Sequence, residues 1–201
     1  MFFKDHGIVS PEEGLMLEER IFREREPCLI LYTRGRPTVS LGRFNEIGEY
    51  VDTLFTGKNN IAIVRRMSGG SAIYSDQDQL VFTVITNRSS FTDKMDSYKV
   101  ICNCLVDTLA HLGIKAEYKP RNDVLVDGMK ISGCAQYRDR KTLLHHGTLI
   151  LKLNDRMMDG SLKMVKERKY PRLTSVEESL GYVPDRKIIA EAFEKGFSGL
   201  R

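Results

Sequence analysis

No stretch of the 201-residue chain approaches the roughly 18–20 unbroken apolar residues that a membrane helix needs, so no membrane-crossing helix and no membrane partner is expected. The start, Met1-Phe2-Phe3-Lys4-Asp5-His6, turns polar too early for a signal peptide. Cysteine is sparse: Cys28, Cys102, Cys104 and Cys134, with no CxxC pair. Without a secretion signal an even count is not a disulfide framework, and reduced thiols in a cytoplasm are expected. Cys102 and Cys104 fall in a helical pattern, where i and i+2 face apart, which argues against a joint metal site. Blocks of like charge are also missing. The 31 Lys and Arg residues nearly balance 27 Asp and Glu, for a net charge of +4. Bases alternate with acids, as in Glu18-Glu19-Arg20 and Lys166-Glu167-Arg168, which reads as a solvated surface and not as a nucleic-acid-binding arm. A modest positive face suits an acidic protein partner. There is no GxGxxG and no Gly-Lys-Ser/Thr, which excludes the dinucleotide-binding fingerprint and the P-loop. Repeats, low-complexity tracts and Pro/Ser linkers are absent, so residues 1–201 read as a single domain long enough to bury a substantial core.

What is present begins with a helix signal. Ser10-Pro11-Glu12-Glu13 combines an N-cap, a proline for the first turn and acids near the helix N-terminus; the helix should run through Leu15, Leu17 and Ile21 to about Glu24. Strands are expected at 28–32, 37–42, 61–64 and 80–85, with a short helix over 48–55. Residues 96–112 carry helical spacing, closed by Gly113. Val124-Leu125-Val126, Asp127-Gly128 and Met129-Lys130-Ile131 form a hairpin with a two-residue turn. Further strands are expected at 135–138 and 148–153, then helical segments at 174–178 and 184–197, the latter with Ile188, Ile189, Ala192 and Phe193 on one side. Paired strands with helices in blocks give an α+β fold with a mostly antiparallel sheet.

Two segments carry chemistry. In the first, Arg65-Arg66-Met67-Ser68-Gly69-Gly70-Ser71-Ala72-Ile73-Tyr74, two arginines enter a turn of small residues. Such a turn lets backbone approach a bulky ligand, its N–H groups can line an anion pocket, and guanidinium groups grip phosphate or carboxylate as a fork. The second runs from Arg121-Asn122-Asp123 through the hairpin to Lys130-Ile131-Ser132-Gly133. Lys130 is either an exposed strand lysine or a cation set on a carbonyl or phosphate oxygen. Asn122 and Asp123 either cap a turn or supply hard oxygen ligands for Mg²⁺. His145 and His146 precede a strand; adjacent residues on extended chain point oppositely, so the two do not chelate one metal, and His146 is either a satisfied structural histidine or the one to face a pocket. Cys134 has Lys130 and Arg138 four residues away on its face of a strand, so it is either an activated thiol or a small core residue.

In this order the segments resemble the lipoate–protein ligase A family, which stands with the biotin protein ligases and octanoyltransferases. Arg65 to Asp76 is in register with Arg-Arg-x-Ser-Gly-Gly-Gly-Ala-Val-Tyr-His-Asp. Arg121 to Ala135 matches Arg-Asn-Asp, a hairpin, then Lys-Ile-Ser-Gly-Ser-Ala; His145 to Ile150 matches His-His-Gly-Thr-Leu-Leu; Gly42-Arg43-Phe44-Asn45 is similar to Gly-Arg-x-Gln-Asn. The resemblance implies a class II aminoacyl-tRNA synthetase and biotinyl protein ligase type of fold, a mixed, largely antiparallel sheet flanked by helices. It implies that lipoate and MgATP give lipoyl-AMP and pyrophosphate, and that the lipoyl group passes to a lysine of an acidic lipoyl domain, in a 2-oxoacid dehydrogenase E2 subunit or the glycine cleavage H protein. Lys130 would be catalytic. Arg65, Arg66, Ser68, Gly69, Gly70, Ser71, Gly133 and Gly147 would bind substrate and adenylate, Tyr74 and His146 would wall the lipoyl tunnel, and Asn122 and Asp123 would serve phosphate and Mg²⁺.

The chain departs from the family pattern in three places: Ser71 replaces the third glycine, Ser75 the histidine, and Cys134 the second motif's serine. The chain also ends at Arg201, without length for the family's frequent C-terminal accessory domain, so either a separate accessory subunit completes the reaction or the protein performs only part of it. Two alternatives stand beside the ligase. An octanoyltransferase using octanoyl-acyl carrier protein needs a cysteine upstream of the hairpin, where Tyr118, Lys119, Pro120 and Arg121 stand instead. A non-catalytic lipoate- or nucleotide-binding module would account for Ser71 and Ser75.

Overall fold

The computed structural model describes residues 1–163 and 172–200; Lys166-Glu167-Arg168 therefore lies outside the described residues. Strand β1 (Phe2–Val9), helix α1 (Pro11–Glu24) and strand β2 (Cys28–Arg34) form an opening unit in which β1 and β2 pair in parallel across the helix. Ser10 caps α1 as the sequence indicates: its Oγ accepts from the Glu13 N–H, and the Glu13 carboxylate accepts from the Ser10 N–H, a reciprocal box that satisfies two otherwise orphaned donors. Strand β1 was not foreseen. Its polar residues, Lys4, Asp5 and His6, hide the strand pattern, and it is an edge strand tied down by the ion pair of Asp5 with Arg186.

Seven strands build the large sheet in the order β1-β2-β6-β10-β9-β8-β7, with β6 at Gln79–Asn87, β7 at Glu117–Lys119, β8 at Asp123–Val126, β9 at Met129–Arg138 and β10 at Thr142–Ile150. All its pairings except β1 with β2 are antiparallel. A separate sheet holds β4 (Ala62–Arg65), β3 (Thr38–Leu41) and β5 (Ile73–Ser75), with β3 parallel to β4. The single sheet expected from sequence is thus two. The expected 135–138 strand is the second half of an unbroken β9, since Gly133 does not interrupt the ladder, and β10 begins before the histidines, which stand inside it. The expected 48–55 helix is split into α2 (Ile47–Tyr50) and α3 (Thr53–Lys58) because Val51 leaves the helix to bridge Leu162. Helix α5 (Asp155–Ser161) and the short strands β5 and β7 were not foreseen.

Central strands are covered on both faces, which explains their unbroken apolar runs. Leu80, Phe82 and Val84 of β6 face helix α4 (Lys94–His111) and the C-terminal helix α7 (Arg186–Gly196). Val81 and Ile85 face α1, with Leu17 and Phe22. Helix α6 (Val176–Leu180) leads into α7, where Ile189, Ala192 and Phe193 are buried and Ile188, expected beside them, is exposed. A third cluster, with Val39, Leu41, Tyr74 and Leu162, binds the small sheet to α5. No helix among the described residues is long and apolar enough to cross a membrane.

Candidate active site

A cavity of about 530 Å³ lies between the small sheet and the α1 side of the large sheet. That volume is in the range of small-molecule sites. The turn after β4 forms one wall and is built by its two arginines. Arg65 Nη1 donates to the carbonyls of Gly42, Arg43 and Asn45 at 3.1, 3.2 and 2.7 Å, and so fastens the 42–45 loop. Arg66 is buried; Nη1 donates to the Ser40 carbonyl at 2.7 Å, Nη2 to the carbonyls of Gly69 and Ser71 at 2.8 and 2.6 Å, and Nε to Ser68 Oγ at 3.1 Å. Four of its five N–H donors are thus spent on shaping the turn. Burial lowers the Arg66 pKa to about 10, which leaves the guanidinium charged at neutral pH. Among the described residues, no acceptor takes the N–H groups of Gly69, Gly70 or Ser71. Gly42 is needed here because a Cβ would sit 2.0 Å from the Gly70 carbonyl oxygen.

Across the cavity stands Lys130, on the return strand of a hairpin whose turn residues, Asp127 and Gly128, both have positive φ. Its Nζ lies 2.6 Å from Asp123 Oδ1. A Cβ on Gly133 would come within 2.6 Å of that Nζ, so glycine there makes room for the ammonium. Asn122 uses its amide N–H on the Cys134 carbonyl at 2.7 Å. One Asp123 oxygen and the Asn122 amide oxygen therefore remain for a hard cation, a set that fits Mg²⁺ only where phosphate and water complete the shell.

His146 enters from β10 between these walls. Its Nε2 is 2.6 Å from Ser68 Oγ and its Nδ1 is 3.0 Å from Glu18 Oε2. Glu18 Oε1 also accepts from the hydroxyls of Tyr32 at 3.1 Å and Thr83 at 2.6 Å. One proton arrangement satisfies the whole chain: Arg66 donates to Ser68, Ser68 to His146 Nε2, and His146 Nδ1–H to Glu18. Burial alone raises the Glu18 pKa, but His146, Thr83 and Arg34 outweigh it and hold the carboxyl at about 2. Sequence reasoning missed Glu18. Its signal was an acid on the buried stripe of α1, between Gly14 and Phe22.

His145, on the opposite face, lies with Cys102 and Cys134 in a buried cluster whose ligand atoms are all within 4.8 Å of one another. Gln136 Nε2 faces His145 Nδ1 at 2.9 Å, while Gln136 Oε1 accepts from Arg138 Nε at 3.0 Å. Among the described residues the buried Nε2 of His145 has no hydrogen-bond partner. Cys102 Sγ stands 3.9 Å from Cys134 Sγ, and its S–H, followed by His145, pulls the Cys134 pKa down. The Cys134 thiol points to this α4 side: a Cβ on Gly147 would lie 2.8 Å from its Sγ and 2.6 Å from the Phe82 ring.

Of the residues nominated from sequence, Arg66, Gly70, Ser71, Tyr74, Asn122, Lys130, Gly133, Cys134, His146 and Gly147 line the cavity, Cys134 with its thiol turned to the α4 side. Arg65, Ser68, Gly69 and Asp123 are not part of that lining. Tyr74 donates to Asp76 Oδ2 at 2.8 Å, and burial followed by that carboxylate raises its pKa.

Residues 10–198 match the lipoyl protein ligase A/B catalytic domain. The chain is 32% identical over 171 residues to the Bacillus subtilis lipoate–protein ligase LplJ, covering 84% of this chain and 50% of that one. It is 29% identical over 202 residues to the octanoyltransferase LipM of Oceanobacillus iheyensis, covering 87% and 74%. Among solved structures it resembles the bipartite lipoate–protein ligase of Thermoplasma acidophilum, described with its E2 lipoyl domain, at TM-score 0.86 and 24% identity over 98% of this chain and 82% of that one. The chain spans about half the length of the ligases it matches by sequence.

Proposed function

Because the chain belongs to the lipoyl protein ligase A/B catalytic-domain family, we propose that it activates lipoate with MgATP to lipoyl-AMP and passes the acyl group to a lysine of an acidic lipoyl domain, in the cytoplasm. The observation that carries this reading is the Lys130 ammonium. Asp123 holds it in the cavity wall, opposite a turn whose N–H groups have no acceptor among the described residues. A carboxylate oxygen attacking phosphorus and a pyrophosphate leaving both gather negative charge, and a fixed cation with fixed N–H dipoles stabilises that charge without reorganising. In the second step the acceptor amine attacks the acyl carbonyl, the acyl–phosphate bond breaks, and AMP leaves. Lys130 steadies the developing oxyanion. Asn122 and Asp123 would hold Mg²⁺ together with phosphate and water, and the metal would supply charge neutralisation when bound. The likeness to the bipartite Thermoplasma ligase supports a separate accessory polypeptide as the partner wherever this chain does not complete both steps alone.

The match to LipM motivates a transferase that forms a thioester. Geometry favours the ligase. The Cys134 thiol faces α4, and Cys28 sits in the cluster under α1, where burial pushes its pKa up to about 11.

The test incubates the purified chain with lipoate, MgATP and an apo-lipoyl domain, following pyrophosphate and acceptor mass. Pyrophosphate with lipoylated acceptor is expected, or pyrophosphate alone if an accessory subunit is needed. Lys130→Ala should abolish both. Gly133→Ala, which displaces the ammonium rather than the backbone, should slow pyrophosphate release by roughly 100-fold. If neither product forms and octanoyl-acyl carrier protein supports acyl transfer that Cys134→Ser removes, the ligase reading is wrong.

A further inference from the structure

The cavity crosses the large sheet from β9, where Lys130 stands, over β10 and β6 to β2, where Tyr32 and Arg34 stand. Three strand spacings separate its ends, about 14 Å, which a medium-chain acid can cross with its carboxyl at Lys130. A tail in such a tunnel would ordinarily end against apolar side chains. Here the end wall contains Arg34, only 4% exposed. Its Nη1 donates to the Pro11 carbonyl at 3.1 Å, and its guanidinium carbon lies 5.7 Å from the Tyr32 ring centroid. No carboxylate among the described residues lies within 4 Å of it; its Nε is sealed from the cavity as from water, and its Nη2, which no acceptor among the described residues takes, is the donor left to a ligand. Glu18, the nearby anion, is taken up by Tyr32, Thr83 and His146. A buried donor without a partner costs free energy that an acceptor on a ligand would recover.

We propose that Arg34 reads the far end of the acyl substrate, selecting a medium-chain acid whose tail carries a hydrogen-bond acceptor over one that ends in a methyl group. This rests on the reading above that the carboxyl lies at Lys130. Arg34 acts on the tail and not on the reacting atoms, so it sets specificity. Lipoate, with two polarisable sulfurs at its far end, meets this requirement better than octanoate does.

The test measures equilibrium binding of octanoate, 8-hydroxyoctanoate and lipoate to the full chain by calorimetry. In an apolar-ended tunnel a terminal hydroxyl weakens binding, because it leaves water for no partner. Here it should tighten binding roughly tenfold or more relative to octanoate, with lipoate also ahead of octanoate. Arg34→Met, which keeps bulk and removes the donors, should reverse the order of the hydroxy acid and octanoate. Octanoate binding as tightly as the hydroxy acid in the unmodified chain overturns the proposal, and that ratio decides the matter even if the variant fails to fold. An unchanged ratio in folded Arg34→Met also overturns it, as does a variant that loses octanoate more than the hydroxy acid, since the carboxyl would then sit at Arg34. If all three acids bind without preference, this proposal alone falls. If none binds, the lipoate-activating reading falls with it.

Discussion

Single side chains here act through what holds them. Lys130 is a cation at a stated place only because Asp123 draws it in and Gly133 leaves it room. Glu18 keeps its charge in the interior because His146 and two hydroxyls face it. That arrangement has a pH signature. The Glu18 pKa falls from an ordinary 4.5 to about 2 on folding, so its contribution to stability is fully present above pH 4.5 and is lost as the pH falls through about 2. Glu18→Gln should therefore flatten the acid limb of stability between those values. At neutral pH it should cost about 1.5–3 kcal/mol, the range for buried hydrogen bonds to a charged group. Urea midpoints at a series of pH values read both effects. Asp5, lowered by its bonds to Arg186 against the opposing effect of burial, keeps some acid slope in the variant.

At the scale of elements, β10 shows how a strand sorts function to two faces. His146 and Thr148 turn to the cavity, and His145 turns to the cluster under α4. The alternation was legible from the adjacent pair of histidines, because side chains on extended backbone must diverge. The partners of each histidine were not legible, since Glu18 lies 128 residues from His146 in sequence. The layer under the sheet depends on a close approach of α7 to α4. A Cβ on Gly196 would lie 2.6 Å from the Thr108 backbone nitrogen and 2.8 Å from the Cys104 carbonyl oxygen, neither of which can swing away. Gly196→Ala should lower stability by about 1–3 kcal/mol. The variant's urea midpoint should fall while lipoate binding per folded molecule stays unchanged, because the contact is on the side of the sheet away from the cavity.

For the whole molecule, the decisive arrangement is two sheets facing each other. Neither alone makes the cavity: the large sheet supplies Tyr32, Val81 and His146, and the small one Ser40, Ile73 and Tyr74. A ligand filling it joins the two and should stabilise the fold as a unit. Lipoate at 100 times its Kd adds about 2.7 kcal/mol, which for a chain of this size raises Tm by about 5–10 °C. A scan in which Tm ignores lipoate and its adenylate alike would show that the cavity takes neither.

The sequence by itself determined the local structure and the family. Ser10-Pro11 starts a helix, Asp127-Gly128 turns a hairpin, and the arginine–glycine and Lys-Ile-Ser-Gly motifs stand in the family's order, because each is settled by backbone geometry or by residues close together in the chain. Tertiary structure decided the rest. The polar edge strand β1 and the short β5 have no pattern of their own and exist only through the ladders they join. Arg66 could be foreseen as a phosphate fork, yet four of its five donors are taken by carbonyls and a hydroxyl that come from another strand and from its own turn. Glu18 and Arg34 look like ordinary charges in the sequence. Only the packing of α1 and β2 against the cavity withdraws them from water, and a charge withdrawn from water must find a partner in the protein or in what the protein binds.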